Sequence, residues 1–333
     1  MPPVAFCFLR LLDIVIFSLN KTVAAVGLIA ASTAAVADTS SVSVYGRIDT
    51  SIASVKTGNE RTSQLNNGGS YFGFKGVETL GSGMKAGFIL ESGFASDTGT
   101  TAANGSFFDN RSELFLAGSF GTVRLGRLLN PSYYAVADRA SLHNEDYGIT
   151  YDQLYQDIGN VSNRLAYTSP VMHGLTLESS VSFHERDAEN QGKNAYDLAA
   201  NYDRGNWSFG AGYGEHGNDT QYALRATWTQ NAWTLSGYHQ RAEVEGEKID
   251  VTRAAVAYAI GAGEIHANFG RANGEGKAAA NQWTVGYNHH LSKRTKVYAF
   301  YSQVQNKRGA AFGDDLNSNE DRKSVSVGIR HNF

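Results

Sequence analysis

Residues 207–213 read WSFGAGY and residues 222–229 read YALRATWT, joined by GEHGNDTQ. In the first stretch Trp207, Phe209, Ala211 and Tyr213 alternate with Ser208, Gly210 and Gly212. In the second, Tyr222, Leu224, Ala226 and Trp228 alternate with Arg225, Thr227 and Thr229. A period of two places one residue set on each face of a β-strand, whereas a helix repeats near 3.6. The pattern predicts two antiparallel strands, each with one apolar face. Tryptophan and tyrosine stand near their ends.

The same alternation recurs outward along the chain. Val42, Val44, Ile48 and Ile52 alternate with Tyr45, Arg47, Asp49 and Ser51, and Met84, Ala86, Phe88 and Leu90 alternate with Lys85, Gly87 and Glu91. Ile265, Ala267 and Phe269, then Trp283, Val285 and Tyr287, then Val325, Val327 and Ile329 continue it. A soluble sandwich has such strands too. Two features favour a membrane barrel instead. The polar face is rich in Gly, Ser, Thr and single charges, which suits a wet lumen. The apolar face gathers Trp207, Tyr213, Tyr222, Trp228, Trp233, Trp283 and Tyr287 near strand ends, where interfacial rings sit.

Connections alternate in length. Tight Gly-, Asn- and Asp-rich turns stand near 80–83, 119–121, 170–174, 203–206, 230–231, 261–263 and 291–293. Longer polar stretches stand at 56–69, 95–106, 130–162, 187–192, 215–218, 244–248, 271–279 and 306–321. Seven turns and eight loops make fifteen connections, hence sixteen strands. The expected fold is all-β: a 16-stranded antiparallel transmembrane β-barrel. At that size the interior is an aqueous channel rather than a packed core. Passive diffusion of small hydrophilic solutes and ions follows from that geometry.

Composition narrows the field. The chain has 333 residues, a formal charge of −3, four prolines and one cysteine, Cys7. There is no bulk basic surface for nucleic acid. No thiol lies beyond residue 7 for disulfides, zinc ribbons or nucleophiles. Residues 1–37 differ from the rest. Lys21 precedes an apolar run, Val23 to Val36, ending in Ala35-Val36-Ala37, small residues that fit cleavage before Asp38. The expected organisation is a signal peptide over 1–37 and a barrel over 38–333, exported to a Gram-negative outer membrane.

The stretch 130–162 stands apart. It is the third long connection, it begins at Asn130-Pro131, and it carries Asp138, Glu145, Asp146, Asp152 and Asp157 with five tyrosines and one cation, Arg139. Loops of this length are commonly functional. It is expected to fold into the barrel and narrow it; the alternative is an exposed loop at the cell surface. Inward-parity Arg47, Lys75, Arg111, Arg124 and Arg164 would face those acids and set a transverse field across the constriction. Each of these cations can alternatively belong to an ordinary lumen network with Asp49, Glu91 or Glu113. Arg127 has the wrong parity relative to Arg124 unless the strand bends or bulges before Pro131.

Several stretches carry a family resemblance: Ser41–Asp49 (SVSVYGRID), Tyr71–Leu90 (YFGFKGVETLGSGMKAGFIL) with Glu91–Phe94 (ESGF), Phe120–Arg127 (FGTVRLGR), Asn163–Pro170 (NRLAYTSP), Ser292–Tyr301 (SKRTKVYAFY) and Val327–Phe333 (VGIRHNF). In these the chain resembles the trimeric general porins of Gram-negative bacteria, of betaproteobacterial and neisserial type. The resemblance implies a homotrimer, surroundings of outer-membrane lipid and lipopolysaccharide, a third loop folded into the pore, and passive transport. It also implies that terminal Phe333 is the barrel-assembly signal.

Other chemistry is weakly signalled. The nine histidines are scattered. His289 and His290 are adjacent, so on a strand they point to opposite faces. Asp315–Asp321 alternates oxygen ligands but has Glu320 where a calcium loop needs its turn glycine. Gly210, Gly212 and Gly214 lie on a strand with no helix following, so they match no nucleotide motif. No catalytic residue, metal or cofactor is expected. The alternatives are a substrate-specific channel, an outer-membrane barrel enzyme and a surface adhesin.

Overall fold

A computed structural model describes residues 40–101, 106–142, 152–159, 161–185, 192–274, 279–313 and 316–333. The strands belong to one compact unit, Asp38–Phe333. They are β1 (Ser41–Thr57), β2 (Glu60–Asn67), β3 (Ser70–Gly81), β4 (Met84–Phe94), β5 (Arg111–Gly118), β6 (Gly121–Arg127), β7 (Arg164–Thr168), β8 (Leu175–Ser182), β9 (Ala195–Arg204), β10 (Trp207–His216), β11 (Asp219–Gln230), β12 (Trp233–Val244), β13 (Glu247–Ile260), β14 (Gly263–Gly274), β15 (Ala279–His290), β16 (Thr295–Lys307) and β17 (Arg322–Asn332).

β2 and β3 share one place in the wall. β2 pairs with β1 from Thr57↔Glu60 to Thr50↔Asn67, and β3 pairs with it from Arg47↔Tyr71 to Ser41↔Val77. The break is at Gly68-Gly69, where Gly69 takes a φ of +77° and the Gly68 N–H donates to the Asp49 carbonyl at 2.9 Å. The wall therefore has sixteen staves, antiparallel throughout, closed by β1 on β17. Closure leaves no open edge.

The two faces divide as the alternation requires. Ile52 is 69% exposed and Leu224 62%, whereas Asp49 and Gln240 are fully buried. Cross-strand partners share a face, so the inner set can be followed around the ring. Asp49 pairs with Arg330, Arg330 with Lys296, Thr284 with Ser302, Arg253 with Tyr238, Tyr238 with Arg225, and Asp197 with Ser180. The outer set carries Trp207, Tyr213, Tyr222, Trp233, Tyr258 and Tyr287, all exposed.

Some expected loops are strand. The stretch 56–69 is a two-residue turn, Gly58-Asn59, followed by β2. β2 is mostly exposed and has a single apolar residue, Leu65, so it carries no alternation to detect. Likewise β10 reaches His216 and β11 starts at Asp219, while β12 ends at Val244 and β13 starts at Glu247. Those two connections are two-residue turns. No bulge turns Arg127 inward: β5 and β6 pair without a shift, and Arg127 sits opposite Ser112. Its guanidinium reaches the Asp109 carbonyl and donates to Ser162 Oγ at 2.7 Å.

The seam between the chain's first and last strands is pinned inside. Arg330 Nε and the Tyr298 hydroxyl both donate to the Asp49 carboxylate. Outside, Gly46 and Phe333 exchange backbone hydrogen bonds of 3.0 and 3.3 Å, and the Phe333 ring covers Gly46 where a Cβ would collide. Removing one partner of a buried ion pair typically costs about 3–5 kcal/mol. Asp49→Ala should therefore lower the temperature at which the detergent-folded barrel unfolds. The double variant Asp49→Ala/Arg330→Met should recover part of the loss. Heat-dependent mobility on denaturing gels measures both.

Candidate functional site: a docked segment in the lumen

The connection between β6 and β7 leaves the wall at Leu128 and returns at Arg164. Its described parts are 128–142, 152–159 and 161–163. Pro131–Tyr133 forms one α-helical turn and Tyr134–Asp138 a π-helical turn. These residues bond to inward-parity side chains of the wall. Ser132 N–H and Oγ–H donate to the Asp197 carboxylate at 2.7 and 2.6 Å, and Gln221 Nε2 donates to Ser132 Oγ at 3.2 Å. Arg225 Nε donates to the Ala135 carbonyl at 2.8 Å. Further along, Gln153 N–H donates to Gln282 Oε1 at 3.0 Å, and Gln156 N–H donates to Gln240 Oε1 at 2.9 Å.

Apolar packing completes the contact. Ala135, Val136, Ala137, Ala140 and Leu154 are buried against Ala199, Ala223, Val251, Ala272 and Ala280 of the wall, with Ala310 and Phe312 of the last long connection. The wall is lined by small residues where the segment lies. At Gly210 a Cβ would collide with the Ala135 carbonyl, and at Gly212 with Ser132. Those glycines serve close approach of the docked backbone.

The acids fall in different places. Asp152 is buried and accepts from Arg253 Nη2 at 2.6 Å and from the Tyr238 hydroxyl. Arg253 also donates to Gln282 Oε1 and Asn268 Oδ1, each at 2.7 Å. Asp157 accepts from Asn130 Nδ2 at 2.9 and 3.0 Å. Asp138 is half-buried. Glu145 and Asp146 lie outside the described residues.

The cations also differ among themselves. Arg164 is buried and holds the segment's root, donating to Ser182 Oγ, the Leu129 carbonyl and Asn130 Oδ1. Arg111 pairs with Glu113 at 2.6 Å and Arg124 with Glu178. Arg47 stands 5.2 Å from the Tyr71 ring centre and Lys75 5.0 Å from that of Tyr45. Arg225, Arg253, Gln221, Gln240 and Gln282 were missed as site residues. Their signal is faint but present: long polar side chains at inward parity among Gly, Ser and Ala.

In the last long connection, Asn317 donates twice to Glu320 Oε2, at 3.0 and 2.9 Å, and holds that carboxyl below its usual range. Asp315 lies outside the described residues. Among the described residues no group of His, Cys, Asp or Glu is placed to hold a metal.

A sixteen-stave wall, apolar outside and polar within, with one segment docked on its inner face, defines an outer-membrane diffusion channel. The Gram-negative porin family matches residues 22–309, and the chain belongs to it. It is 29% identical to outer membrane porin protein 32 of Delftia acidovorans, over 95% of this chain and 100% of that one. It is 28% identical to the major outer membrane protein P.IB of Neisseria lactamica, over the same shares. Among solved structures, an anion-selective porin from Comamonas acidovorans superposes with a TM-score of 0.77 at 26% identity, covering 89% of this chain and 100% of that one. The protein is thus an outer-membrane porin whose barrel passes small hydrophilic solutes and ions by passive diffusion.

Loss of the Asp152 carboxylate leaves Arg253 and Tyr238 without their acceptor. Asp152→Ala should raise hydrogen exchange at the Gln153 and Gln156 amides by at least about tenfold. Amides of the neighbouring strand ladders should keep their protection. Mass spectrometry of the detergent-solubilised protein reads both.

Proposed function

We propose that the docked segment constricts the lumen and that the channel favours anions. One observation carries the ion preference: the inward carboxylates near the cationic wall are each engaged, whereas exposed cations remain. Glu91 accepts from the Tyr45 hydroxyl and Asn110 Nδ2, Glu113 from Arg111, Glu178 from Arg124, and Asp49 from Arg330. Lys75 and Lys85 are exposed and make no ion pair among the described residues. The Comamonas porin that this barrel resembles is anion-selective, in keeping with that reading. In this proposal Arg47, Lys75, Arg111 and Arg124 set the field of the wall. Arg164, Asp152 and Asp157 hold the segment in place, and Asp138, Glu145 and Asp146 supply its charge. The activity is transport, with no catalysis.

The chain works as a homotrimer amid lipid and lipopolysaccharide. The apolar outer residues of β1 and β17 are all aliphatic: Val42, Val44, Ile48, Ile52, Val325, Val327 and Ile329. Two strand faces that carry only aliphatic residues suit contact with a second copy more than with a headgroup layer. Terminal Phe333, outward and at the seam, is the assembly signal. Residues 1–37 are a cleaved export signal, in keeping with a barrel unit that begins at Asp38.

Single channels under a potassium chloride gradient should reverse at a potential of anion sign. Replacing Arg47, Lys75, Arg111 and Arg124 with glutamine should move that potential toward cations, and deleting residues 138–157 should enlarge the conductance. A cation-selective wild type would overturn the ion preference, and an unaltered conductance the constriction. Sequencing of the exported protein should begin at Asp38; a retained leader would remove the export signal.

A further inference from the structure

We propose that Tyr45, Lys75, Val77, Ile89 and Phe115 form a lumen track for aryl carboxylates, anions with one aromatic ring beside one carboxylate. This rests on the anion-favouring channel above and narrows it to a class of solute.

Register places all five on the inner face. Tyr45 pairs with Gly73, Lys75 with Ile89, Val77 with Gly87, and Gly87 in turn with Phe115. Their parity is that of Asp49, Glu91 and Glu113. Apolar residues elsewhere on the inner wall, such as Ala199, Ala223, Val251 and Ala272, are buried beneath the docked segment. None of these five belongs to that cluster. Val77 is 38% exposed, and Ile89 and Phe115 are half-buried. A wet pore thus exposes an apolar patch on its wall.

The rings are laid flat by missing side chains. The Tyr45 ring lies where a Cβ of Gly73 would be, and the Phe115 ring where one of Gly87 would be. The Lys75 ammonium stands 5.0 Å from the centre of the Tyr45 ring, so ring and cation are already side by side. The Tyr45 hydroxyl donates to Glu91 Oε2 at 2.8 Å, which fixes the ring and occupies that carboxylate. Lys75 stands between the two rings in the strand order, exposed and without an ion pair among the described residues. Tyr71, on the same strand as Lys75, meets Tyr45 edge-on at 6.2 Å and carries Arg47 over its own ring, and beyond Phe115 stands its cross-strand partner Arg124. Each ring has a cation beside it: Arg47 by Tyr71, Lys75 by Tyr45 and Arg124 opposite Phe115.

That order matches an anion with a flat apolar body. The carboxylate meets Lys75 while the ring displaces water from Tyr45 or Phe115. Offset ring contacts are modest, and modest contacts at successive sites let a solute enter and leave.

The test uses the mature protein in planar bilayers with benzoate, acetate and cyclohexanecarboxylate at equal concentration. Benzoate should interrupt the chloride current with residence times up to about tenfold longer than acetate, the range that ring contacts supply. Phe115→Ser should bring the benzoate-to-acetate ratio close to one, and Lys75→Gln should shorten both residence times. Phe115→Leu repeats the measurement if the serine variant fails to fold. An anion-selective channel that treats benzoate like acetate, a ratio indifferent to Phe115, or equal interruption by cyclohexanecarboxylate would overturn the track. A cation-selective channel would instead remove the reading on which it rests.

Discussion

Along a strand each side chain that faces lipid is followed by one that faces water, and a ring of sixteen strands must keep that order through a whole circuit. Cross-strand partners share a face, so one slipped register would turn a stave's apolar set inward. Here the order holds across the seam: Ile52 pairs with Val327 outside while Asp49 pairs with Arg330 inside. Backbone donors and acceptors are spent on neighbouring strands, the only arrangement besides a helix that hydrocarbon tolerates. Every inward position is then free of the folding problem that a packed core must solve.

That freedom is used unevenly. From β9 to β15 the inner wall is small and amide-rich, and it receives the segment between β6 and β7. Ala199, Ala223, Ala272 and Ala280 leave room for backbone, while Gln221, Gln240 and Gln282 meet its polar groups. Across β1 to β6 the wall presents Arg47, Lys75, Arg111 and Arg124 with several rings. One face of the lumen is built as a cradle and the other is left to the solute.

The strand alternation and the Gly-, Asn- and Asp-rich turns made the barrel, its strand number and its closure legible in the sequence. The stretch 56–69 was not legible as strand, because β2 has Leu65 as its single apolar residue and so shows no alternation. The segment's anchors were hidden for a different reason. Asp152 and Arg253 are 101 residues apart, and nothing local says which inward arginine a loop will find. Gly210 and Gly212 showed only that no nucleotide motif was present; their purpose appears once Ala135 and Ser132 lie against them.

The seam has a temporal meaning. All other neighbours in the wall are consecutive along the chain and can zip as hairpins, but Asp49 and Arg330 stand 281 residues apart. Contacts so distant in the chain are slow to form. A polypeptide still emerging, or cut short before Arg322, presents two raw edges and no tube. Only the arrival of the final eleven-residue strand converts a curved sheet into a vessel.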